Sequence, residues 1–424
     1  MSDILDELHW RGLVAQTTDE AALRDALAAG PITAYCGFDP TAPSLHFGNL
    51  VQLVVLRHLQ RAGHRVICLV GGSTGLIGDP RPTAERVLKS KEQTAAWVGR
   101  IQDLVRPFLD FDGSDPACAH PAVMVNNLDW TAPMSALDFL RDVGKHFRVN
   151  AMIKKDAIAT RLASDEGISY TEFSYQLLQG LDYLELFRSY GCTLQTGGND
   201  QWGNLTAGSD LIHRVEGASV HLLTTPLVTD SQGVKFGKSE GNAIWLSADM
   251  TSPYAFYQYF LNVEDASVVK LVKIFTDRTR DEVAELERLV AQEPFRRAAQ
   301  RLLAADITTL VHGAPATAAV QAASEAIFGK GDLGALDERT WRDACAELPH
   351  GAVPAGASVV EALVATGLAE SRNAARRLLG EGGVSVNNVK VTDPERALGA
   401  DDFVHGYAAL LRRGRKAQAA ALRA

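Results

Sequence analysis

Apolar residues recur in two rhythms along the first half of the chain. Short β-rich runs at 32–38 and 66–70 flank a segment, 50–59, whose apolar positions fall in helical groups. Strand, helix, strand in that order, continuing to about residue 228, predicts a doubly wound, Rossmann-like parallel sheet with helices on its faces. Ligands of such sheets bind beyond the carboxyl ends of the strands. The turns after Phe38, Val70 and Val125 are therefore where chemistry is expected.

The pattern then changes. Residues 252–327 are rich in Ala, Leu, Glu and Arg at helical spacing, and a Gly-, Pro- and Ala-rich stretch follows that reads as a linker. Beyond it an apolar helix at 359–366 stops at Gly367, and Ser371 stands as the N-cap of a second helix carrying Arg372, Arg376 and Arg377. Residues 384–391 alternate as a hairpin around Asn387-Asn388. The expected organisation is an α/β domain over 1–247, a helical domain over 248–330, a linker over 331–355 and a small α+β domain over 356–424.

Composition narrows the class. A length of 424 residues with 46% hydrophobic content supports two or three domains with substantial cores. The N-terminus has no apolar leader and no apolar run is long enough to span a bilayer, so neither secretion nor membrane insertion is expected. Five scattered cysteines without C-x-x-C spacing argue against a disulfide framework or a zinc site, and point to a reducing cytoplasm. Net charge is −9, yet residues 351–424 hold 10 Lys/Arg against 7 Asp/Glu. A basic tail on an acidic body permits contact with a polyanion.

Four constellations carry chemistry. His46 and Asn49, with Thr41 upstream, sit at the predicted start of the 50–59 helix, where free N–H groups attract anions. Lys235-Phe-Gly-Lys238-Ser239 puts two ammonium groups and a hydroxyl on a glycine-flanked loop; Gln232 stands where a P-loop requires glycine, which excludes that motif. Gly71-Gly-Ser-Thr74-Gly-Leu-Ile-Gly-Asp79 follows a strand and combines close backbone approach with groups able to hold an ammonium ion. Tyr175, Gln179 and Asp182 form one stripe on a helix predicted over 171–187, and Gln195-Thr-Gly-Gly-Asn-Asp200-Gln201 adds a polar glycine turn. Singly these also read as a capped surface helix, a solvated basic loop, a plain turn and a solvent-facing stripe. Together they outline a triphosphate site beside a pocket for a small polar molecule.

With these motifs in place, the chain resembles the bacterial tyrosyl-tRNA synthetases, class I aminoacyl-tRNA synthetases, over nearly its whole length. His46-Phe-Gly-Asn49 is similar to the class signature H-I-G-H, and Lys235–Ser239 to K-M-S-K-S. The tyrosine enzymes are indicated by Tyr35-Cys-Gly-Phe-Asp39, Thr74–Asp79, the Tyr175/Gln179/Asp182 stripe and Gly197-Gly-Asn-Asp-Gln-Trp202. Asn49 departs from the usual second histidine, and the 80–86 loop is one residue shorter than in the family.

The resemblance implies a set of roles. Tyr35 and Asp182 would bind the substrate phenol hydroxyl, Thr74, Asp79, Tyr175 and Gln179 its ammonium group, and Gln201 its carboxylate. Cys36, Gly37, Asp39, Pro40, Gly48, Gly198 and Asp200 would line the ATP site. Thr41, His46, Asn49, Lys235, Lys238 and Ser239 would surround the phosphates, and Arg86 would reach pyrophosphate. Arg372, Arg376 and Arg377 would contact tRNA phosphates in an RNA-binding C-terminal domain. ATP would arrive with Mg2+ and without a dedicated protein metal site. Residues 130–161 resemble the family's homodimer interface. The implied reaction is attack of the tyrosine carboxylate on the α-phosphate of ATP, then transfer of tyrosyl to the terminal ribose of tRNA. A tryptophan enzyme would share the phosphate motifs but lack Asp182. A non-catalytic RNA-binding relative would have lost Lys235, Lys238, Asp200 and Gln201.

Overall fold

The computed structural model describes residues 3–80, 86–165, 167–229, 233, 243–329, 331–354, 356–414 and 417–424, with the side chains of 156 and 157 left aside. The Lys235–Ser239 motif lies outside the described residues. The chain forms two compact units, one comprising Met1–Met250 with Glu264–Pro294 and the other Thr251–Val263 with Phe295–Ala424.

The first unit is built on a six-stranded sheet of order β1-β6-β5-β2-β3-β4. Strands β2 (Thr33–Phe38), β3 (Arg65–Val70), β4 (Val123–Asn126), β5 (Cys192–Gly198) and β6 (His221–Thr225) run parallel. The two-residue β1 (Gln16–Thr17) adds an antiparallel edge to β6. From β2 the chain winds outward through β3 to β4, then returns to place β5 on the other side of β2. The switch point between β2 and β5 opens a crevice at the carboxyl ends of the strands, the geometry the apolar rhythm predicts.

Both faces of this sheet are covered. The helix Phe47–Arg61 buries Leu50, Leu53, Val55, Leu56 and Leu59 completely. Burying a side chain of this size is worth about 1.5–3 kcal/mol, so the stripe alone anchors the helix. Opposite it, the helix Tyr175–Tyr190 is buried on nearly every side, packing Leu181, Tyr183, Leu184 and Leu186 against Tyr35, Ile67 and Leu69. The predicted single helix over 171–187 is in fact two. A short helix, Tyr170–Phe173, ends at Ser174, whose N–H closes the last turn on the Tyr170 carbonyl at 2.9 Å and whose hydroxyl donates to the carbonyl of Thr171 at 2.8 Å.

In the second unit, helices Pro253–Leu261, Ala298–His312, Ala314–Ile327 and Glu338–Ala346 precede a five-stranded sheet of order β7-β11-β10-β8-β9, in which β10 (Ala408–Arg413) is the central strand. Strands β8 (Val384–Val386) and β9 (Val389–Val391) form the expected hairpin, with Asn387 and Asn388 both at positive φ, as a two-residue turn of matching twist demands. The segment read as a linker is structured. Asp337 caps the helix Glu338–Ala346, which buries Trp341 and Cys345, and β7 (His350–Val353) pairs in parallel with β11 (Ala417–Arg423). Its Gly and Pro content masked one amphipathic turn pattern, Trp341, Ala344 and Cys345.

Candidate active site

A cavity of about 720 Å³ opens at the carboxyl ends of β2, β5 and β6. Its wall includes Tyr35, Cys36, Gly37, Asp39, Thr41, His46, Gly48, Asn49, Thr74, Asp79, Arg86, Tyr175, Gln179, Asp182, Gly198, Asp200 and Gln201. Motifs far apart in sequence, from Tyr35 to Gln201, thus meet at one hollow. Pro40 is the exception: it is buried against Gly75 and is absent from the lining. The sequence groups it with the ATP site, but its ring serves to pack the β2 turn on the glycine loop.

The stripe Tyr175, Gln179, Asp182 faces this cavity and not solvent, since Tyr175 is 6% and Asp182 3% exposed. The two carboxylate oxygens of Asp182 accept from Asn127 Nδ2 and from Trp130 Nε1, each at 3.0 Å. Burial nevertheless pushes its carboxyl up to about 8, against the pull of those two donors. Nearby, the Tyr35 hydroxyl is buried without a hydrogen-bond partner, and burial with the Asp182 charge raises its pKa well above the ordinary tyrosine value. A buried hydroxyl left unpaired is costly, and a ligand that pairs with it removes that cost.

Further out lies a second polar cluster. Asp39 accepts from Thr74 Oγ1 at 2.6 Å and from Tyr175 Oη at 2.8 Å, and Asn127 Nδ2 also reaches Thr74 Oγ1 at 3.0 Å. Both hydroxyl protons point at the carboxylate, which leaves oxygen lone pairs of Tyr175 able to accept from a cation. Gly71 permits this arrangement, because a Cβ there would lie 2.1 Å from Asp39 Oδ1 and 2.2 Å from Thr74 Oγ1. Asp79 accepts from Gln201 Nε2 at 3.1 Å and from Asn204 Nδ2 at 3.0 Å. Burial raises the pKa of both Asp39 and Asp79, so the cluster is primed to receive a compensating positive charge.

At the outer end, His46 is the N-cap of the helix Phe47–Arg61. Its Nδ1 accepts the Gly48 N–H at 3.0 Å while Asn49 Oδ1 accepts the His46 N–H at 3.1 Å, a reciprocal capping box. Gly48 lets the ring lie close, since a Cβ there would be 2.9 Å from His46 Cε1. Because Nδ1 is an acceptor, the neutral ring carries its proton on Nε2. Trp245 forms an antiparallel bridge with His46, and Val228 and Ala243 also line the cavity, so the described residues on both sides of the Lys235–Ser239 segment belong to its wall.

Three residues escaped the sequence reading. Asn127, fully buried, joins Asp182 to Thr74 and accepts the Ser73 N–H at 2.7 Å. Trp130 and Asn204 brace Asp182 and Asp79 in the same way. Only the position of Asn127 at the end of β4 marks it in the sequence. In the second unit, Arg372, Arg376 and Arg377 are carried on the helix Arg372–Gly380, with Arg372 3.1 Å from Glu361.

A doubly wound parallel sheet with a polar cavity at its switch point and a histidine-capped helix at the mouth has the form of a class I aminoacyl-tRNA synthetase. Comparison with known families agrees: residues 27–329 match the model for class I tRNA synthetases (W and Y), and residues 342–420 match the C-terminal domain of tyrosine–tRNA ligases of the SYY type. The chain is 60% identical over 421 residues to the tyrosine–tRNA ligase of Streptomyces griseus, covering 99% of this chain and 98% of that one. The Streptomyces coelicolor ligase is 59% identical with 99% of each chain covered. Among solved structures, a C-terminally truncated mitochondrial tyrosyl-tRNA synthetase from Aspergillus nidulans superposes with a TM-score of 0.69 at 29% identity, covering 77% of this chain and 95% of that one.

The chain belongs to the tyrosine–tRNA ligase family, whose members use ATP to attach tyrosine to tRNA. No described helix is long and apolar enough to cross a membrane.

Proposed function

We propose that tyrosine binds with its phenol between Tyr35 and Asp182 and its ammonium group among Thr74, Asp79, Tyr175 and Gln179. Gln201 then faces the carboxylate. The observation that carries this reading is the Tyr35 hydroxyl, buried without a partner in the cavity that Asp182 also lines. A phenol hydroxyl can accept from one and donate to the other, and phenylalanine would leave the Tyr35 hydroxyl unpaired while Asp182 kept only its Asn127 and Trp130 donors. Tyrosyl-tRNA synthetases are themselves the general example of such selection, at about 10⁵ against phenylalanine.

ATP occupies the outer cavity, its ribose near Cys36, Gly37, Gly198 and Asp200 and its phosphates near Thr41, His46, Gly48 and Asn49. Arg86 meets the departing pyrophosphate, and Lys235, Lys238 and Ser239, outside the described residues, act on the same group. Asp39, whose oxygens both serve Thr74 and Tyr175, sits at the boundary between the two substrates. The tyrosine carboxylate needs no general base, being ionised at neutral pH, so catalysis comes from alignment and from donors to the developing phosphate charge. Mg2+ enters as part of the ATP substrate.

The C-terminal part, from about 356, carries tRNA on Arg372, Arg376 and Arg377. The protein works as a homodimer in the cytoplasm. Exposed Leu137, Leu140, Val149 and Ile153, all within 130–161, support an interface there. Sedimentation equilibrium tests the dimer. The site assignment is tested by amino-acid-dependent ATP–pyrophosphate exchange: tyrosine alone drives it, and comparable exchange with phenylalanine would refute the Tyr35/Asp182 assignment.

A further inference from the structure

Arg161 and Glu172 form an ion pair of 2.9 Å in which each side chain is 1% exposed. Neither residue lines the cavity. A fully buried pair is a poor source of stability, because desolvation of both charges offsets their attraction. Its other contacts are more telling. Glu172 Oε2 takes Arg161 Nη1, while Glu172 Oε1 accepts the backbone N–H of Arg86 at 2.7 Å. Arg161 Nε in turn donates to the carbonyl of Gly167 at 3.0 Å, tying the carboxylate's partner to the chain just before the Tyr170–Phe173 helix.

Arg86 is thus held at two points. Its N–H rests on the buried carboxylate, and its Nε donates to the Asp79 carbonyl at 2.8 Å. Between them the side chain reaches the cavity wall. The residue lies outside helix and strand, and the bond of its N–H to Glu172 is a buried anchor for its backbone. We infer that Arg161 and Glu172 are a positioning pair for Arg86: the carboxylate uses one oxygen to be neutralised and the other to set where the guanidinium meets the pyrophosphate end of the cavity. The inference rests on the proposed role of Arg86.

The chemistry of the pair makes it testable. A carboxylate offers acceptors on both oxygens, whereas an amide offers one acceptor and one donor. In Glu172→Gln the amide cannot serve both Arg161 and the Arg86 N–H. Replacing Arg161 as well, in Arg161→Met/Glu172→Gln, frees the amide oxygen to face Arg86 again.

The test is pyrophosphorolysis of enzyme-bound tyrosyl-adenylate by the full-length protein, with pyrophosphate varied and tyrosine affinity measured separately at equilibrium. Glu172→Gln is expected to raise the KM for pyrophosphate about 10- to 100-fold with tyrosine affinity within a factor of about two. The double variant recovers most of that loss. Arg86→Ala raises the same KM, and adding Glu172→Gln to it changes little further, because both act through one group. If Arg86→Ala leaves the pyrophosphate KM unchanged, the reading of Arg86 itself fails. If Arg86→Ala raises it while Glu172→Gln does not, or the two effects multiply, the positioning role is overturned. Should Glu172→Gln not fold, Glu172→Asp keeps both acceptors but withdraws them by one methylene; an unchanged pyrophosphate KM there would equally overturn the role.

Discussion

His46 and Asn49 cap each other: the ring Nδ1 accepts the Gly48 N–H, and the Asn49 amide oxygen accepts the His46 N–H. This explains how asparagine is accommodated where the class signature has histidine. Its oxygen is committed to the cap, its NH2 group remains a neutral donor, and the histidine is held with Nε2–H as its donor.

Asn49→Asp should therefore split stability from activity. The carboxylate keeps the cap and favours the helix N-terminus, so stability holds level or rises by about 0.3–1 kcal/mol. The donor is lost and a negative charge is placed beside the phosphates, so adenylate formation slows by about 100-fold. Denaturant melts and single-turnover quenched flow check the two halves. A variant that is destabilised and fully active would contradict the arrangement.

Tyr35→Phe should act in opposite directions on the free and bound protein. Removing a buried, unpartnered hydroxyl stabilises the free protein by about 1 kcal/mol. Tyrosine loses a hydrogen bond and binds roughly 5- to 15-fold more weakly, while phenylalanine does not, so discrimination falls. Calorimetry without ligand and exchange kinetics with both amino acids measure this.

The pH dependence follows from Asp182. Burial raises its carboxyl to about 8, against about 3.9 in the unfolded chain. The folded state binds this proton more tightly, so the contribution is fully present below about pH 4 and is lost as pH rises through about 8. Above that, stability from this group levels off. Midpoints of unfolding between about pH 5 and 9 should fall more steeply with pH in the parent than in Asp182→Asn. Equal slopes would show that Asp182 does not titrate there.

Replacing Arg372, Arg376 and Arg377 together by Ala should weaken tRNA binding and lower the slope of log Kd against log salt by about 2 to 3. Tyrosine-dependent exchange should be unaltered, since no cavity-lining residue changes. Filter binding over a salt series measures the slope; an unaltered slope would place the tRNA contacts elsewhere.

Much of this was legible in the chain. The apolar runs ending at Phe38 and Val70 located the strand ends, and Asn387-Asn388 located a hairpin, because both signals arise from local backbone preference. The stripe of Tyr175, Gln179 and Asp182 was visible as spacing, but whether it met solvent or a cavity depended on the sheet packed against it. Asn127 was illegible: one buried amide at a strand end has no spacing partner, and its importance lies in bonds to Asp182 and Thr74, each far away in sequence. The cap by His46 and Asn49 was hidden for a different reason, since neither residue belongs to the usual Ser/Thr and Glu/Gln pattern. In the segment read as a linker, the Asp337 cap and Trp341 outweighed the Gly and Pro around them because burial of one tryptophan anchors a whole turn.

On the proposed function, one cavity holds tyrosine by its phenol beneath the nucleotide. The most direct measurement is a crystal structure with a non-hydrolysable tyrosyl-adenylate analogue, reading the distances from the phenol oxygen. Tyr35 Oη and an Asp182 carboxylate oxygen are both expected at about 3 Å from it, with the phosphate near His46 Nε2. A phenol lying against neither residue, or an analogue bound outside this cavity, would contradict it.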